Sequence, residues 1–276
     1  MQNAGIAALG LHWRYVAFDV HPDDLAAAIG GAMAMKFIGL NLTVPHKLLA
    51  LPMVDLLDES ATLWGAVNTI RFEARDDQGN WQPLRSFGGP IPDELRAHGF
   101  NTDADAIVQA LREDLGLKLA GSKVLIVGTG GAGRVAALKL AAEGVSELFL
   151  LNRTVKKAEA LAFEIHQRFP KTKAVVGYPG IPVDLLLNAT SLGLKPTDEL
   201  PFDEREFPLS RAKAVYDMIY RSAETPLLRK AKAAGCRAAN GLGMLLYQGA
   251  KALEIWSGQP APLSFMRAAL EINIYG

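Results

Sequence analysis

Cysteine is almost absent: Cys236 is the only thiol in 276 residues, so no intrachain disulfide can form and a reducing compartment is expected. Charge of either sign is not in excess, since 29 Lys plus Arg balance 29 Asp plus Glu. That balance leaves no polycationic footprint for nucleic acid or for an acidic membrane surface. Long apolar runs are missing too, and none reaches the roughly 18 residues of a spanning helix. The start, Met1-Gln2-Asn3-Ala4, has no basic region leading into a clean apolar stretch and does not read as a signal peptide. His12, His21, His98 and His166 have no Cys or Asp partners at metal-ligand spacing, so no metal site is expected. Internal repeats and low-complexity segments are also lacking. The expectation is a soluble, cytoplasmic protein with no metal, nucleic-acid or membrane partner.

What is present is core-forming material: half of the residues are hydrophobic and 21% are charged. Residues 2–10 read as a helix and Trp13–Val20 as a strand. His21-Pro22-Asp23-Asp24 opens a helix to about Met35, with acid and proline first and apolar residues after. Gly39–Thr43 reads as a strand, and Pro45 as a first-turn residue of a helix running to about Met53. A helix over 58–63, a strand over Ile70–Glu73 and a turn over Asp76–Asn80 follow. Residues 84–99 carry the breaker cluster Gly88-Gly89-Pro90-Ile91-Pro92, and 93–98 read as one or two helical turns. Ala104–Leu115 is an amphipathic helix, with Ile107, Leu111 and Leu115 on one stripe. Beyond it, strands at 124–127, 147–151, 174–176, 183–187 and 214–218 alternate with helices at 154–169 and 225–235. That order is the signature of a parallel sheet in an α/β fold. Helices at 243–257 and 262–271 close the chain. A domain boundary is expected near residue 104.

The segment Val124-Leu-Ile-Val-Gly128-Thr-Gly130-Gly131-Ala132-Gly133 is strand, turn and helix start. A diphosphate needs backbone N–H groups at a helix N-terminus with no side chain in the way. Gly128 permits the tight turn, Gly130 lets phosphates approach and Gly133 lets the helix lie against its strand. At the end of the next strand an NAD site usually carries an acidic residue for the ribose hydroxyls. Here the sequence is Asn152-Arg153-Thr154. Arg153 is suited to grip a ribose 2′-phosphate with a charged fork, and Thr154 to donate a hydroxyl or cap the next helix. Lys156 would add charge. The expected cofactor is NADP(H).

Hydride transfer to a ketone creates an alkoxide that must be neutralised, and a lysine can do so. Polar clusters at Asn41–Lys47, Asn68-Thr69 and Asn101–Asp103 sit at strand ends and helix starts, where open sheets bind substrates. Lys47 is the candidate acid, and Asp103 the carboxylate that orients it. The same two residues would also serve as a solvated lysine and an ordinary helix cap.

Taken together, Asn41-Leu-Thr-Val-Pro-His-Lys47, Gly65-Ala-Val-Asn-Thr69, Asn101-Thr-Asp103 and Gly128–Gly133 resemble the shikimate dehydrogenase family with its quinate/shikimate relatives. Asn152-Arg-Thr154, Asn188-Ala-Thr-Ser-Leu-Gly193, Tyr216-Asp-Met-Ile-Tyr220, Thr225-Pro-Leu-Leu228 and Gly243–Gly249 extend the likeness. The resemblance implies an α/β chain of two domains. An N-terminal substrate domain (1–103), completed by C-terminal helices (242–276), is interrupted by a Rossmann-type NADP domain (104–241). It implies reversible NADP-dependent reduction of 3-dehydroshikimate to shikimate, a step of aromatic amino acid biosynthesis, by a monomer or homodimer. Lys47 and Asp103 match the catalytic pair. Thr43, Asn68, Tyr220 and Gln248 match substrate-contacting positions. Gly128, Gly130, Gly131, Ala132, Gly133, Asn152, Arg153 and Thr154 match the cofactor cradle, and Thr190, Met218, Gly241 and Met244 its nicotinamide side.

Two departures from the family pattern stand out. Family members begin with a strand and a serine pair that grips the substrate carboxylate, whereas this sequence enters at the following helix. The expectation is therefore threefold: a start downstream of the natural one, a strand supplied by another segment, or a different substrate. Second, residues 80–99 carry about ten more residues than the family's tight connection, and Asp105 and Ala106 replace small positions. A quinate or other hydroxy-acid dehydrogenase of the same mechanism, or a non-catalytic NADP-binding regulator, are the alternative readings.

Overall fold

The computed structural model describes residues 1–276. The chain divides into two compact units, one formed by 1–103 with 248–270 and the other by 104–247 with 271–276. No helix is long and apolar enough to cross a membrane.

The first unit opens with α1 (Gln2–Ala8) and α2 (Leu25–Ala34), then β1 (Gly39–Asn41), α3 (His46–Leu49), β2 (Leu56–Leu57) and α4 (Glu59–Trp64). Strands β3 (Thr69–Arg75), β4 (Trp81–Pro83) and β5 (Leu95–Phe100) complete its sheet, in the order β1-β3-β5-β2 with β4 also on β3. β3 is antiparallel to β1, β4 and β5, and β2 runs parallel to β5. The strand period of two puts Ile70, Phe72 and Ala74 on one face, where Leu25, Ile29 and Ala32 of α2 cover them. The other face carries Arg71, Glu73, Arg96 and His98. Glu73 is buried there and accepts from Arg71, from Arg96 Nε (2.7 Å) and from His98 Nδ1 (3.1 Å). Burial alone would raise its carboxyl, but His98, Arg71 and Arg96 together hold it down at about 2.

The second unit begins with α5 (Asp103–Leu115), whose first residue belongs to the first unit. It continues with β6 (Lys123–Val127), α6 (Gly131–Ala142), β7 (Glu147–Leu151), α7 (Val155–Arg168), β8 (Lys173–Val176), β9 (Val183–Asn188) and β10 (Ala212–Asp217). α8 (Pro226–Ala233), β11 (Arg237–Asn240), α9 (Leu242–Ser257) and α10 (Leu263–Tyr275) follow, with α9 and α10 each shared between the units. All neighbours in the sheet β11-β10-β9-β6-β7-β8 are parallel. This is the doubly wound order, and it reverses between β6 and β9, the point at which such sheets bind ligands. Val124, Leu125 and Ile126 are fully buried, as a strand covered on both faces requires.

Several sequence expectations need correction. Trp13–Val20 forms no strand and belongs to no sheet. Alternation supplies no partner by itself; only the Asn3 amide pairs with the Tyr15 backbone, at 2.8 and 2.9 Å, and Val16 and Phe18 stay exposed. Residues 93–98 are not helical, because 95–100 form β5. The helix expected from Pro45 to Met53 is split: Pro45 precedes a single turn, α3, and a 3-10 turn spans Leu51–Met53. The short strands β2, β4 and β11 had no sequence signal. The long 80–99 connection is partly structural, since Leu84 is buried in the core and Phe87 and Ile91 pack against it.

Candidate functional site

In the first unit, Lys47 sits on α3 and Asp103 at the start of α5, 56 residues apart in sequence. The chain turns after β1 and after β5, which run in the same direction on either side of β3, so both residues follow strands that end at the same edge of the sheet. Lys47 Nζ donates to Asp103 Oδ2 at 2.7 Å, with the lysine side chain 27% and the aspartate 10% exposed. Asn68, fully buried at the entrance to β3, donates from Nδ2 to Asp103 Oδ1 at 3.0 Å and to Thr102 Oγ1 at 2.9 Å. Backbone bonds stitch the three loops together: Val67 N–H to Lys47 C=O at 2.8 Å, and Asn68 N–H to Phe100 C=O at 3.0 Å. Asn101 Oδ1 accepts from Asp103 N–H at 3.1 Å and fixes the helix start. An ammonium so placed, partly open to solvent and held by a largely buried carboxylate, can deliver or take a proton at a substrate oxygen. Thr43 lies exposed in the loop between β1 and α3, and Gln248 is half-buried on α9 in the same unit.

In the second unit, Gly128 follows β6 at φ +96°, a left-handed conformation that a side chain would strain. Its N–H donates to Leu151 C=O at 2.8 Å. A Cβ on Gly133 would drive into the Gly128 carbonyl, so α6 can start this close to β6 only with glycine there. Gly130 and Gly131 face open space, and no side chain caps α6. The first-turn N–H groups of α6, including those of Ala132 and Gly133, therefore point outward with the positive end of the helix. Thr129 Oγ1 is buried with no partner, an orphan that a phosphate oxygen would satisfy. Asn152 Oδ1 accepts from Thr129 N–H (3.0 Å) and its Nδ2 donates to Thr154 C=O (2.9 Å), tying the turn to the end of β7. Arg153 and Thr154 are exposed there, Thr154 as the N-cap residue of α7 without a side-chain cap bond. This donor set fits a 2′-phosphorylated dinucleotide, as no acidic residue stands where NAD would need one.

Across the switch point, Thr190 Oγ1 donates to Asn188 Oδ1 at 2.8 Å. Asn188 Nδ2 donates to Asp217 Oδ1 at 3.0 Å, and Thr225 Oγ1 to Asp217 Oδ2 at 2.6 Å. Burial pushes the Asp217 carboxyl above its ordinary value, against the opposing bonds from Thr225, Ile219 N–H and Asn188. Met218 follows β10, with its N–H on Asn188 C=O (2.9 Å). Gly241 N–H donates to Ile219 C=O (3.1 Å), and a Cβ there would strike the Met218 carbonyl. Met244 N–H reaches the buried Tyr216 hydroxyl at 3.3 Å. Tyr220 is half-buried in this unit, its carbonyl accepting from Tyr275. Sequence reasoning gave Thr129 and Thr102 no role of their own, although both stand inside motifs it singled out, and did not foresee the Asp217–Thr225 bond.

Three family models match the chain. They are the shikimate dehydrogenase substrate binding domain (residues 1–70), shikimate / quinate 5-dehydrogenase (109–176) and the shikimate 5'-dehydrogenase C-terminal domain (241–271). Shikimate dehydrogenase (NADP(+)) of Methanopyrus kandleri is 38% identical over 98% of this chain and 89% of its own length. A crystal structure of shikimate dehydrogenase in complex with NADP+ superposes with a TM-score of 0.81 at 34% identity, covering 99% of this chain and 90% of the other. The ligand-free 5-ketofructose reductase of a Gluconobacter strain reaches 0.80 at 33% identity, covering 99% and 92%.

Proposed function

The chain belongs to the shikimate dehydrogenase family, and on that premise we propose that it catalyses the NADP-dependent, reversible reduction of 3-dehydroshikimate to shikimate. The observation that carries the reading is the Lys47–Asp103 pair at 2.7 Å, in a unit separate from the dinucleotide cradle. NADPH, when bound, supplies the hydride that adds to the substrate's carbonyl carbon. Lys47 donates a proton to the oxygen as it gains charge, and takes it back in the oxidative direction. Asp103 holds the ammonium in place and accepts a substrate hydroxyl. Thr43, Asn68 and Gln248, together with Tyr220, are assigned to substrate positioning. Arg153 and the α6 N-terminus take the 2′-phosphate and the diphosphate.

The test is NADP(H)-linked absorbance change of the purified chain with shikimate, quinate and 5-ketofructose as a panel. Turnover is expected, with shikimate giving the highest kcat/KM. No turnover with any of the three overturns the reading, and a preference for quinate or 5-ketofructose replaces the substrate within it. Lys47→Ala is expected to lower kcat by about 10²–10⁴, with NADPH affinity nearly unchanged. An unimpaired variant removes Lys47 from its role.

A further inference from the structure

Behind Asp103 runs a line of hydrogen bonds whose direction is determinate. Asn41 Nδ2 lies 3.2 Å from the carbonyl of Asn68, which can only accept, so the Asn41 amide cannot be flipped. Its Oδ1 therefore accepts from the Tyr15 hydroxyl at 3.1 Å. Asn41 Nδ2 also donates to Thr69 Oγ1 at 3.0 Å, leaving the Thr69 proton for Asn68 Oδ1 at 3.3 Å. The Asn68 amide is fixed in the same way, because its Oδ1 accepts from Thr102 N–H at 2.8 Å. Both Asn68 amide hydrogens are then spent within the protein, on Thr102 Oγ1 and on Asp103 Oδ1. Tyr15, half-buried and with burial pushing its hydroxyl pKa up, stays a donor. Asn3 clamps the Tyr15 backbone from both sides.

We infer that Tyr15, Asn41 and Thr69 are positioning residues: with Asn68 they form a one-way donor chain that fixes Asp103 Oδ1, so that Oδ2 stays aimed at Lys47. A carboxylate held at one oxygen only could rotate away from the ammonium. Each link polarises the next, and the chain ends on a charge, where a hydrogen bond is strongest. The 13–20 segment, which joins no sheet, thereby acquires a task at its Tyr15. The inference rests on Lys47 and Asp103 as the acid–base pair, and its test includes a readout that needs no turnover.

Lys47 acetylation by limiting acetic anhydride is followed by peptide mass spectrometry in the full-length chain, with the exposed Lys213 as internal reference. In Tyr15→Phe and Thr69→Val the Lys47 rate is expected to rise about three- to tenfold, toward that of Asp103→Asn, while Thr69→Ser stays near wild type. On whichever substrate the wild type turns over, the same two variants are expected to lower kcat with KM within about twofold, and to add nothing in an Asp103→Asn background. An unchanged Lys47 rate in both variants, a rise in KM alone, or full additivity with Asp103→Asn overturns the inference. Absence of turnover in the wild type would instead remove the proposed reaction and leave the acetylation comparison to decide.

Discussion

Arg153 leaves the end of β7 with no hydrogen bond or ion pair inside the protein, so its guanidinium is available to an anion. A charge-assisted bond to a 2′-phosphate is worth about 1.5–3 kcal/mol, roughly ten- to a hundredfold in Kd. Arg153→Ala is expected to weaken NADPH by that factor and leave NADH within about twofold, as fluorescence titration would show. Equal losses for both cofactors would take the 2′-phosphate from Arg153. This residue was legible in the sequence because its evidence is local: it stands two positions past the end of the strand that follows the glycine turn and its helix. Lys47 and Asp103 were legible as a pair only through the chemistry, which asks for a carboxylate beside the lysine, since 56 residues separate them and the sheet brings them together. Asn41 and Thr69 stood inside polar clusters of the sequence, but nothing there tied them to each other or to Tyr15. Their meaning lies in which backbone groups they face, and a linear sequence does not state that.

At the scale of elements, β5 is the instructive case. Leu95-Arg96-Ala97-His98-Gly99-Phe100 alternates with period two, but its polar positions are not solvated in the usual way. Arg96 and His98 turn inward onto the buried Glu73 of β3, so the strand's second face is filled by charge rather than by apolar side chains. A reader who equates polarity with exposure misplaces it. The glycine turn was legible for the opposite reason: Gly128 and Gly133 answer backbone demands that depend on few distant residues. The Glu73 cluster also sets an acid response. Its folded pKa of about 2 lies below the unfolded value near 4.3, so its contribution is complete above that value and is lost as pH falls through about 2. Urea midpoints measured between pH 7 and pH 2 are expected to drop most steeply in the lower part of that range. Glu73→Gln should be less stable at pH 7, and its midpoint should fall less on acidification. A variant with the wild-type pH slope would show that other carboxylates govern the transition.

For the whole molecule, the chain leaves the first unit after Asp103 and returns at Gln248, so that unit is closed by residues far away in sequence. The return is anchored by buried groups. Trp256 Nε1 donates to Ile70 C=O at 2.9 Å, and Gln2 Nε2 to Gly249 C=O at 2.9 Å. Leu253, Met266 and Leu270 are buried as well, with Leu253 and Met266 pressed against Gly5. Trp256→Ala removes both a large buried ring and the partner of a strand carbonyl, a loss of about 3–5 kcal/mol. Every side chain assigned to NADP(H) lies in the other unit, whereas Lys47, Asp103 and Asn68 lie in this one. In a urea series the Trp256→Ala variant should therefore lose turnover at a clearly lower concentration than wild type, while the midpoint for NADPH fluorescence moves much less. Equal displacement of the two midpoints would mean that the chain unfolds as one cooperative body, and that the returning helices stabilise the cofactor unit as much as the substrate unit.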